Sequence, residues 1–486
     1  MSVVLVSVPH GASAGNMLRT GLVQRLLDAA QDVEVVLLSP LVDDVAFVQE
    51  FRHPRVHFEP LPPHRPAGLE ARLMALIQAS YVDSGITEAV QIRRQEAVAK
   101  KTMRFIRAKR LLASALLPSI VRKESRYDVI DRLVSHAGAE QLFIRYQPVL
   151  LVVSSPGLIF AEVPLLRTAV RRGVSSMAVD ASWDNFTNKV LPARRVTRIL
   201  VWNELMKQQA VQLHGYRPEQ VVVTGPPHWD LYFRARGSTR EMFFRRIGAD
   251  PSRKLVTLTT SPFELYPHFD HVLRVLIDAM TRGRYPYPCQ ILVRVHPRDR
   301  LDRYKEFLDT PHVIVEKPFR PTVRAGDGLS VDITADSQQH LADTLRYSDV
   351  VVQVASTIAI EAAIFDTPVV NVSFDGETPA EWIRSARRYL RFTHFVNVTR
   401  HGAVKLADSP AQMIDAVAEY LRDPSIDAEG RRRVVLEQCQ FLDGRSSERV
   451  ARCVLEAVAT ARGVPAAEEA TAVASRAHQR VAEGPL

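Results

Sequence analysis

The strongest constraint on the fold of this chain is the alternation of short runs rich in Val, Ile and Leu with longer segments of helical periodicity. The short runs lack a clean polar alternation, which is typical of parallel strands buried on both faces. In the first half, the predicted strands lie at 3–8, 33–38, 149–153, 176–179, 198–202 and 221–224. Helical periodicity predicts connecting helices at 16–30, 158–172 and 204–214.

The same pattern restarts in the second half. Predicted strands at 255–260, 290–295, 313–315, 349–353 and 369–372 alternate with predicted helices at 269–282, 337–347 and 357–365. Two successive β/α series predict an α/β protein with two doubly wound, Rossmann-like domains that face each other across a cleft. This follows because right-handed crossovers place helices on both faces of each sheet.

Glycine and proline mark the boundary between the two series, in the segment Gly225-Pro-Pro-His-Trp-Asp230. A Gly-Pro-Pro sequence cannot continue a central strand. The predicted organisation is an N-terminal domain at 1–230 with a basic helical insertion at about 64–145, a C-terminal domain at 231–462, and a disordered tail at 463–486.

Composition and motif content exclude several classes of protein. With 46% hydrophobic and 24% charged residues, the chain cannot be mainly disordered. Three scattered cysteines indicate a reducing compartment and form no zinc or disulfide pattern, and there is no P-loop, H-E-x-x-H or G-x-S-x-G motif. We therefore predict no metal and no cofactor.

The N-terminus lacks a basic, apolar leader, and no run approaches the roughly 18–20 apolar residues of a spanning helix. We expect a cytoplasmic, soluble protein.

The end of the predicted strand at 349–353 has the features of an anion site. Ser356 and Thr357 precede a predicted helix whose first-turn N–H groups attract anions, and their hydroxyls add donors. Glu361 lies one turn further along the same face, where a carboxylate can bind ribose hydroxyls. The pattern predicts a site for a nucleoside diphosphate. The alternative is an ordinary serine N-cap with a surface glutamate.

A second candidate donor-binding segment follows the predicted strand at 290–295. Arg294 offers a bidentate phosphate contact, and Pro297 forces an extended turn that directs His296 away from the strand end. The neighbouring strand ends in Thr-Thr-Ser261, which adds hydroxyl groups at the same edge. A lone histidine is more often structural, so this interpretation depends on the position of the pair at the strand ends.

Two loops of the first half could bind an acceptor. The small-residue loop after the first strand carries His10, which could act as a general base near neutral pH. Its glycines lack the dinucleotide spacing, and a loop histidine bonded to backbone is an equal alternative. A later strand end carries Asp180 and Asp184 among Ser, Trp, Asn and Thr, a set suited to a sugar or polyol, although polar loops are common.

Positive charge is concentrated between positions 93 and 126, which contain eleven Lys or Arg and two Glu. Val98, Phe105, Leu112 and Leu116 recur at helical spacing within this segment. A basic amphipathic helix is typical of elements that lie on anionic membranes. Nucleic acid is a weaker candidate because aromatic residues are scarce there. In the remaining alternative, the apolar stripe packs on the core of the N-terminal domain.

Taken together, the two β/α series, the small-residue loop after the first strand, the 223–230 linker, the segment Arg294-Val-His-Pro297 and the 349–361 segment resemble GT-B glycosyltransferases of bacterial surface-polysaccharide synthesis. The segment Phe441-Leu-Asp-Gly-Arg-Ser-Ser-Glu-Arg449 is similar to the end of CDP-glycerol glycerophosphotransferases, which share that fold. The resemblance covers residues 1 to about 460.

The resemblance implies that the C-terminal domain binds a nucleotide-activated donor, that the N-terminal domain binds the acceptor, and that transfer needs no metal. It implies pyrophosphate contacts for Arg294 and His296, phosphate contacts for Ser356 and Thr357, and a ribose contact for Glu361. The retaining E-x7-E pattern of the family requires a second carboxylate, and Val369 stands at that position. Inversion is therefore favoured.

The predicted function is transfer of a sugar from a nucleotide-sugar donor to a surface-polysaccharide or lipid-linked acceptor, by an inverting, metal-independent enzyme that binds no nucleic acid and docks at the inner membrane. His10 is the first candidate for the base, ahead of Asp184 and Asp180. The alternatives are a CDP-polyol phosphotransferase, a nucleotide-sugar epimerase on the same fold, and a non-catalytic scaffold at the membrane.

Overall fold

Two parallel β-sheets organise the structure, a computed structural model that describes residues 1–61, 63–117, 127–189, 195–234, 238–321, 331–382 and 384–463. The predicted tail therefore lies outside the described residues, except for Gly463. The first sheet has the order β3-β2-β1-β4-β5-β6-β7. Its strands are β1 Ser2–Ser7, β2 Val33–Ser39, β3 Val56–Pro60, β4 Leu150–Val153, β5 Ser175–Val179, β6 Arg198–Val201 and β7 Val221–Val223.

The second sheet has the order β10-β9-β8-β13-β14-β15, and a short antiparallel pair, β11 with β12, lies apart from it. The strands are β8 Lys254–Thr259, β9 Cys289–Arg294, β10 Val313–Glu316, β11 Arg320–Pro321, β12 Val331–Asp332, β13 Val350–Gln353, β14 Val369–Val372 and β15 Lys405–Ala407. In both sheets the strand order reverses beside the first strand. This is the doubly wound, Rossmann-like arrangement, and it confirms the predicted fold class.

Helices cover both sheets, and the described part of the segment between β3 and β4, where the basic insertion is predicted, contains five of them (α4 to α8). None of the helices in the described ranges is both long and apolar enough to cross a bilayer. The helices are α1 Gly11–Ser13, α2 Leu22–Ala29, α3 Val45–Glu50, α4 Gly68–Ser84, α5 Glu88–Ala99, α6 Met103–Leu116, α7 Asp128–Leu133, α8 Ala137–Tyr146, α9 Val163–Arg172, α10 Glu204–His214, α11 Asp230–Phe233, α12 Arg240–Ile247, α13 Phe269–Thr281, α14 Ala335–Tyr347, α15 Ile358–Ile364, α16 Thr393–Thr399, α17 Pro410–Arg422, α18 Ala428–Cys439 and α19 Ser446–Ala461.

The predicted strands are confirmed, one predicted helix needs correction, and the described residues contain four further strands. The continuous helix predicted at 16–30 is wrong, because a turn of π-helix at Ala14–Leu18 ends before Gly21, whose φ of +83° starts α2 anew. The further strands are β3 and β15, at the edges of the two sheets, and the two-residue strands β11 and β12. β3 is an edge strand with polar residues and a terminal proline, and β15 is only three residues long.

The last helix, α19, returns from the second half to pack on the first sheet. Val450, Val454 and Val458 join the core beneath β1, β4 and β5. The predicted C-terminal domain, residues 231–462, includes this helix, although its contacts are with the N-terminal sheet. Asp230 fixes the return, because its carboxylate accepts hydrogen bonds from the N–H groups of Ser446 and Ser447, each at 2.8 Å.

A buried ion pair joins the two halves at the loop after β1. Arg19 donates to Asp332 at 2.6 and 2.9 Å and to the carbonyl of Ile333 at 2.8 Å, and both charged side chains are almost fully buried. Gln338 adds a hydrogen bond to the carbonyl of Gly15 at 3.0 Å. A Cβ atom on Gly15 would lie 3.0 Å from the carbonyl oxygen of Ile333, so the close approach of the halves favours glycine there.

Candidate functional site

At the carboxyl ends of the strands in the second sheet, polar residues of adjacent strands lie side by side on one face. The strand register pairs Arg294 with both Glu316 and Thr259, and pairs Gln353 with Asn371. The register of β13 with β8 places Gln353 beside Thr259. Register partners in parallel strands point to the same face. We call these five residues the polar row.

Arg294 is the charged centre of the row. Its Nη1 donates to Glu316 at 3.2 Å, and its guanidinium lies 5.3 Å from the ring of Phe319. Burial lowers the pKa of Arg294, and the negative charges of Glu316 and Glu361 act in the opposite direction. Nη2 has no partner among the described residues, so the guanidinium retains a free donor in a nearly dry environment.

His296 begins the loop after β9 as a neutral hydrogen-bond donor. Its N–H donates to Thr260 Oγ1 at 2.8 Å, and its Nδ1 accepts from the N–H of Arg298 at 3.0 Å. Burial lowers the pKa of His296 to about 4. The neutral ring therefore carries its proton on Nε2, which can donate to an oxygen of a ligand.

In the Ser356–Glu361 segment the helix α15 follows the two hydroxyl residues as predicted, but the glutamate carboxylate has internal partners. The helix begins at Ile358, and Ser356 Oγ accepts from the Ile358 N–H at 3.3 Å. Glu361 is buried, and its two oxygens accept hydrogen bonds from Thr357 at 2.9 Å and from Tyr232 at 2.7 Å. Burial raises the pKa of Glu361. A ribose would therefore have to compete with internal partners for this carboxylate.

The loop between β13 and α15 is strained. Ala355 has a φ of +25°, a value that a residue with a Cβ atom rarely adopts. Its N–H donates to Asn371 Oδ1 at 2.7 Å, so a hydrogen bond joins the loop to the polar row. Strained backbone of this kind is concentrated at ligand-binding loops in other proteins.

His10, in the first half, is also a neutral donor. It caps α1, with Nδ1 accepting from the N–H of Ser13 at 3.1 Å, and burial lowers its pKa to about 4. The neutral ring therefore carries its proton on Nε2. A ring in this tautomer can donate a hydrogen bond from Nε2 but cannot take a proton there.

The pKa values of the two aspartates after β5 are shifted in opposite directions. Burial raises the pKa of Asp180 to about 7, although Asn185 and the N–H of Ser182 donate to its Oδ1. The other oxygen, Oδ2, is buried and has no partner among the described residues. The pKa of Asp184 is instead lowered, since Lys189 lies 3.5 Å away and Ser182 and Asn188 donate to it. Two neighbouring carboxyl groups with pKa values pushed apart are typical of acid–base sites.

His394 meets the Asp180 loop from the second half and was missed by sequence reasoning. Its ring packs edge-on against Trp183 with centroids 4.8 Å apart, and the charge of Asp184 acts on it. Burial lowers the pKa of His394 to about 4, and its Nδ1 has no partner among the described residues. The segment before it matches no motif, so only the three-dimensional contact identifies this residue.

The predicted donor-binding residues lie at one edge of the second sheet. Arg294 and Glu361 are close enough for their charges to interact, and Ser261 follows β8 with a buried, unpartnered Oγ. Gln353 and Asn371 were missed. The signal that could have revealed them is an amide residue at or next to the carboxyl end of each of two valine-rich strands.

A cluster of His64, Glu70 and His136 is the one group among the described residues whose geometry could accommodate a metal ion, with ligand atoms within 4.8 Å of one another. Arg167 already occupies that position. Its Nη1 donates to Glu70 at 2.6 Å and to His136 Nε2 at 3.0 Å. A guanidinium that pairs with the carboxylate and with a ring nitrogen takes the place of a cation, so these residues do not fit a metal.

Comparison with known proteins identifies one protein family whose sequence model matches this chain. The sequence model of the CDP-glycerol:poly(glycerophosphate) glycerophosphotransferase family matches residues 168–456, more than half of the chain. No curated protein matches the sequence of the chain.

Several solved structures share the architecture. UDP-GlcNAc 2-epimerase from Neisseria meningitidis, bound to UDP-GlcNAc, superposes with a TM-score of 0.53 at 12% identity, over 94% of this chain and 100% of that one. A putative UDP-N-acetylglucosamine 2-epimerase from Listeria monocytogenes gives 0.54 at 12% identity, over 93% and 95%. The wall teichoic acid polymerase TagF, in a structure with CDPG, gives 0.50 at 8% identity, over 94% and 88%. At these identities the likeness shows the GT-B fold alone.

Proposed function

The chain belongs to the CDP-glycerol:poly(glycerophosphate) glycerophosphotransferase family and is a transferase, and we propose that it moves a sugar from a nucleotide-sugar donor to a hydroxyl group of a cell-envelope glycan or lipid-linked acceptor. The observation that carries this proposal is the separation of two polar sites: donor-type groups at the edge of the second sheet, and a carboxyl group with a near-neutral pKa after β5 in the first.

The donor side of the proposal rests on Arg294 and His296. The guanidinium has a free N–H, and the imidazole donates from Nε2 while staying uncharged. Both groups suit the growing negative charge of a departing nucleoside diphosphate. Preorganised donors in a site with little water usually provide the largest part of catalysis.

The acceptor side rests on Asp180, which replaces His10 as the first candidate for the base. The Nδ1 of His10 is occupied by the Ser13 N–H, so the open nitrogen already carries a proton. Asp180 has an unpartnered Oδ2 and a pKa of about 7, and efficient bases have pKa values close to the working pH. Asp184 stays ionised through Lys189 and is therefore the weaker base.

In the proposed step, Asp180 takes the proton of the acceptor hydroxyl as its oxygen attacks the anomeric carbon of the donor. The bond between that carbon and the diphosphate oxygen breaks, and the nucleoside diphosphate departs with the electron pair. A single displacement inverts the anomeric centre. Arg294 and His296 donate to the leaving diphosphate, so the proposed step requires no divalent cation.

Donor binding provides the first test. We expect one of the UDP-, GDP-, CDP- or TDP-linked sugars to raise the melting temperature, because a ligand at 100 times its Kd stabilises a protein by about 2.7 kcal/mol. Arg294→Met should abolish this shift, and Arg282→Met on the exposed end of α13 is the matched control. The absence of a shift with every donor would contradict the proposal.

A second candidate function, transfer of a polyol phosphate from a CDP-linked donor, is favoured by the family match. The two reactions differ in the bond that breaks. Attack at phosphorus releases CMP, whereas attack at the anomeric carbon releases a nucleoside diphosphate. Chromatography of the nucleotide product after incubation with donor and acceptor distinguishes them. Release of CMP would replace sugar transfer with the second candidate.

The helix α6 supports docking at an anionic membrane. Met103 and Ala113 face the protein, but the opposite side exposes Phe105, Leu111 and Leu112, which are 55%, 71% and 50% exposed. Phe105 and Leu112 of the predicted stripe therefore do not pack on the core of the N-terminal domain, and Val98, which lies on α5, is also 59% exposed. The side chain of Leu116, the fourth member, lies outside the described part of the structure. The cations around the stripe are Lys100, Lys101, Arg104, Arg107, Lys109 and Arg110. An exposed apolar stripe bordered by Lys and Arg matches an anionic bilayer surface in both polarity and charge.

The ion pairs of α6 indicate which cations should be replaced in a test of membrane docking. Arg107 and Arg110 pair with Asp83 on α4, so the variant should instead replace Lys100, Lys101, Arg104 and Lys109 with Gln. We expect the wild type to bind phosphatidylglycerol vesicles in a salt-sensitive manner, at about 1 kcal/mol for each cation, and the variant to lose binding.

The control for docking replaces four exposed arginines elsewhere with Gln, namely Arg217, Arg282, Arg432 and Arg433. This variant removes the same charge and should bind vesicles as the wild type does. Equal loss in both variants would show that only net charge matters. Equal binding of the wild type to neutral phosphatidylcholine vesicles would also contradict the specific surface.

A further inference from the structure

Within the polar row, three side chains have polar atoms without a partner among the described residues. These are both amide atoms of Gln353, Oγ1 of Thr259 and Nη2 of Arg294. Gln353 is fully buried, and the other two are 5% exposed. Buried polar groups in folded proteins are nearly always hydrogen-bonded, because an unpaired one is unfavourable. Three neighbouring buried side chains with unpaired polar atoms therefore indicate a hydrogen-bonding partner that is not part of the chain.

The chemistry of the unpaired atoms defines that partner. The guanidinium and the amide nitrogen can only donate, the hydroxyl can do either, and the amide oxygen can only accept. A matching ligand offers oxygen acceptors with negative charge beside at least one hydroxyl donor. The sugar-phosphate part of a nucleotide has both, as phosphoryl oxygens and ribose hydroxyls.

The loop at 354–357 is bonded to the row and is strained. The Ala355 N–H is bonded to Asn371, a member of the row, and Ala355 carries the strained φ of +25°. Displacement of this loop, which directly follows Gln353 at the point where the strand order reverses, would relieve the strain at Ala355. Ligands of open α/β sheets bind at that point.

We propose that Gln353, together with Thr259 and Arg294, binds the sugar-phosphate part of the donor nucleotide, and that the loop at 354–357 is displaced when it binds. This inference rests on the proposed function for the identity of the ligand. It assigns to Gln353 a binding role that no sequence motif indicates, and it explains why the row is left unpaired in the absence of ligand.

The test compares variants that remove a buried polar group lacking a hydrogen-bond partner with a control variant that removes a buried polar group that has one. Gln353→Met and Thr259→Val remove unpartnered polar atoms at nearly constant volume. Thr257→Val is the matched control, because Thr257 lies two residues earlier on the same face of β8, is fully buried, and has its Oγ1 bonded to Ser348 at 2.6 Å. Melting temperatures without ligand and Kd values for UDP, CDP, GDP and TDP are measured by calorimetry.

We expect Gln353→Met and Thr259→Val each to weaken nucleotide binding by about tenfold, the effect of one lost hydrogen bond to a ligand, while the melting temperature without ligand stays equal or rises. Thr257→Val should lower the melting temperature and leave the Kd unchanged. A wild-type Kd in Gln353→Met would overturn the proposal, and if that variant does not fold, Thr259→Val decides in the same way. A wild type that binds no nucleotide would instead overturn the proposed function.

Discussion

Replacing Asp180 with asparagine is expected to lower kcat by about 10²- to 10⁴-fold, the usual range for loss of a general base, while donor affinity is retained. Asparagine preserves the shape of the side chain and an acceptor for Asn185, but it cannot take a proton. Activity of the wild type should rise with pH and level off above the pKa of Asp180, which burial raises to about 7. Steady-state kinetics between pH 5.5 and about 9 measure both effects.

The same pKa shift predicts the opposite trend in stability. A carboxyl group whose pKa is raised from 3.8 to about 7 in the folded state favours folding in its protonated form, so stability is lost as the pH rises from about 4 to 7. The loss is at most about 4 kcal/mol. Asp180→Asn should lack this loss, so the variant should be more stable than the wild type at pH 8 in urea denaturation. A variant that is both stable and inactive cannot owe its inactivity to unfolding.

Two further variants distinguish Asp180 from its competitors. His10→Gln keeps a donor near the Nε2 position and should reduce kcat far less than Asp180→Asn if His10 only donates a hydrogen bond. Asp184→Asn removes a carboxylate that is already paired with Lys189. A larger kinetic defect in His10→Gln than in Asp180→Asn would return the role of base to His10.

The fold could be predicted because strand position is encoded locally. The valine-rich runs of the central strands are apolar on both faces and cannot be mistaken for exposed segments. The helix Glu204–His214 was predicted from end to end, since Asn203 caps its start and Gly215 ends it with a φ of +73°. Among the missed strands, β3 and β15 lack this signal because strands at a sheet edge tolerate polar residues, and β11 and β12 are only two residues long.

The candidate site was predictable only in part. The rule that ligands lie at the carboxyl ends of strands directed attention to Arg294 and Glu361, whose charges interact in the structure. The rule could not predict that Tyr232, 129 positions earlier in the chain, would occupy the Glu361 carboxylate. Nor could it assign the His10 tautomer, which depends on the N–H of Ser13, or the pKa of Asp180, which depends on burial by residues distant in sequence. Residue types are read from the sequence, but their protonation states follow from three-dimensional packing.

The return of α19 to the first sheet makes Asp230 the residue with the largest expected effect on stability. Its carboxylate is almost fully buried and accepts from the N–H groups of Ser446 and Ser447, and from the Ser447 hydroxyl at 2.6 Å. The aspartate therefore caps α19 from outside the helix and joins the chain between the halves to the helix that packs on β1, β4 and β5. Asp230→Ala would leave two backbone donors unpaired in the interior and remove a charge from the positive end of the helix.

We expect Asp230→Ala to lower the free energy of unfolding by about 3–5 kcal/mol, the range for breaking a buried charged network. Asp443→Ala is the matched control, because that carboxylate also precedes α19 and accepts from the Arg445 N–H at 3.0 Å, but is more exposed. Its loss should cost no more than about 1 kcal/mol. Urea denaturation of both variants measures the difference. Equal, small losses would show that α19 is positioned by its apolar face alone, whereas a large loss confined to Asp230→Ala would show that this one carboxylate couples the second half to the core of the first.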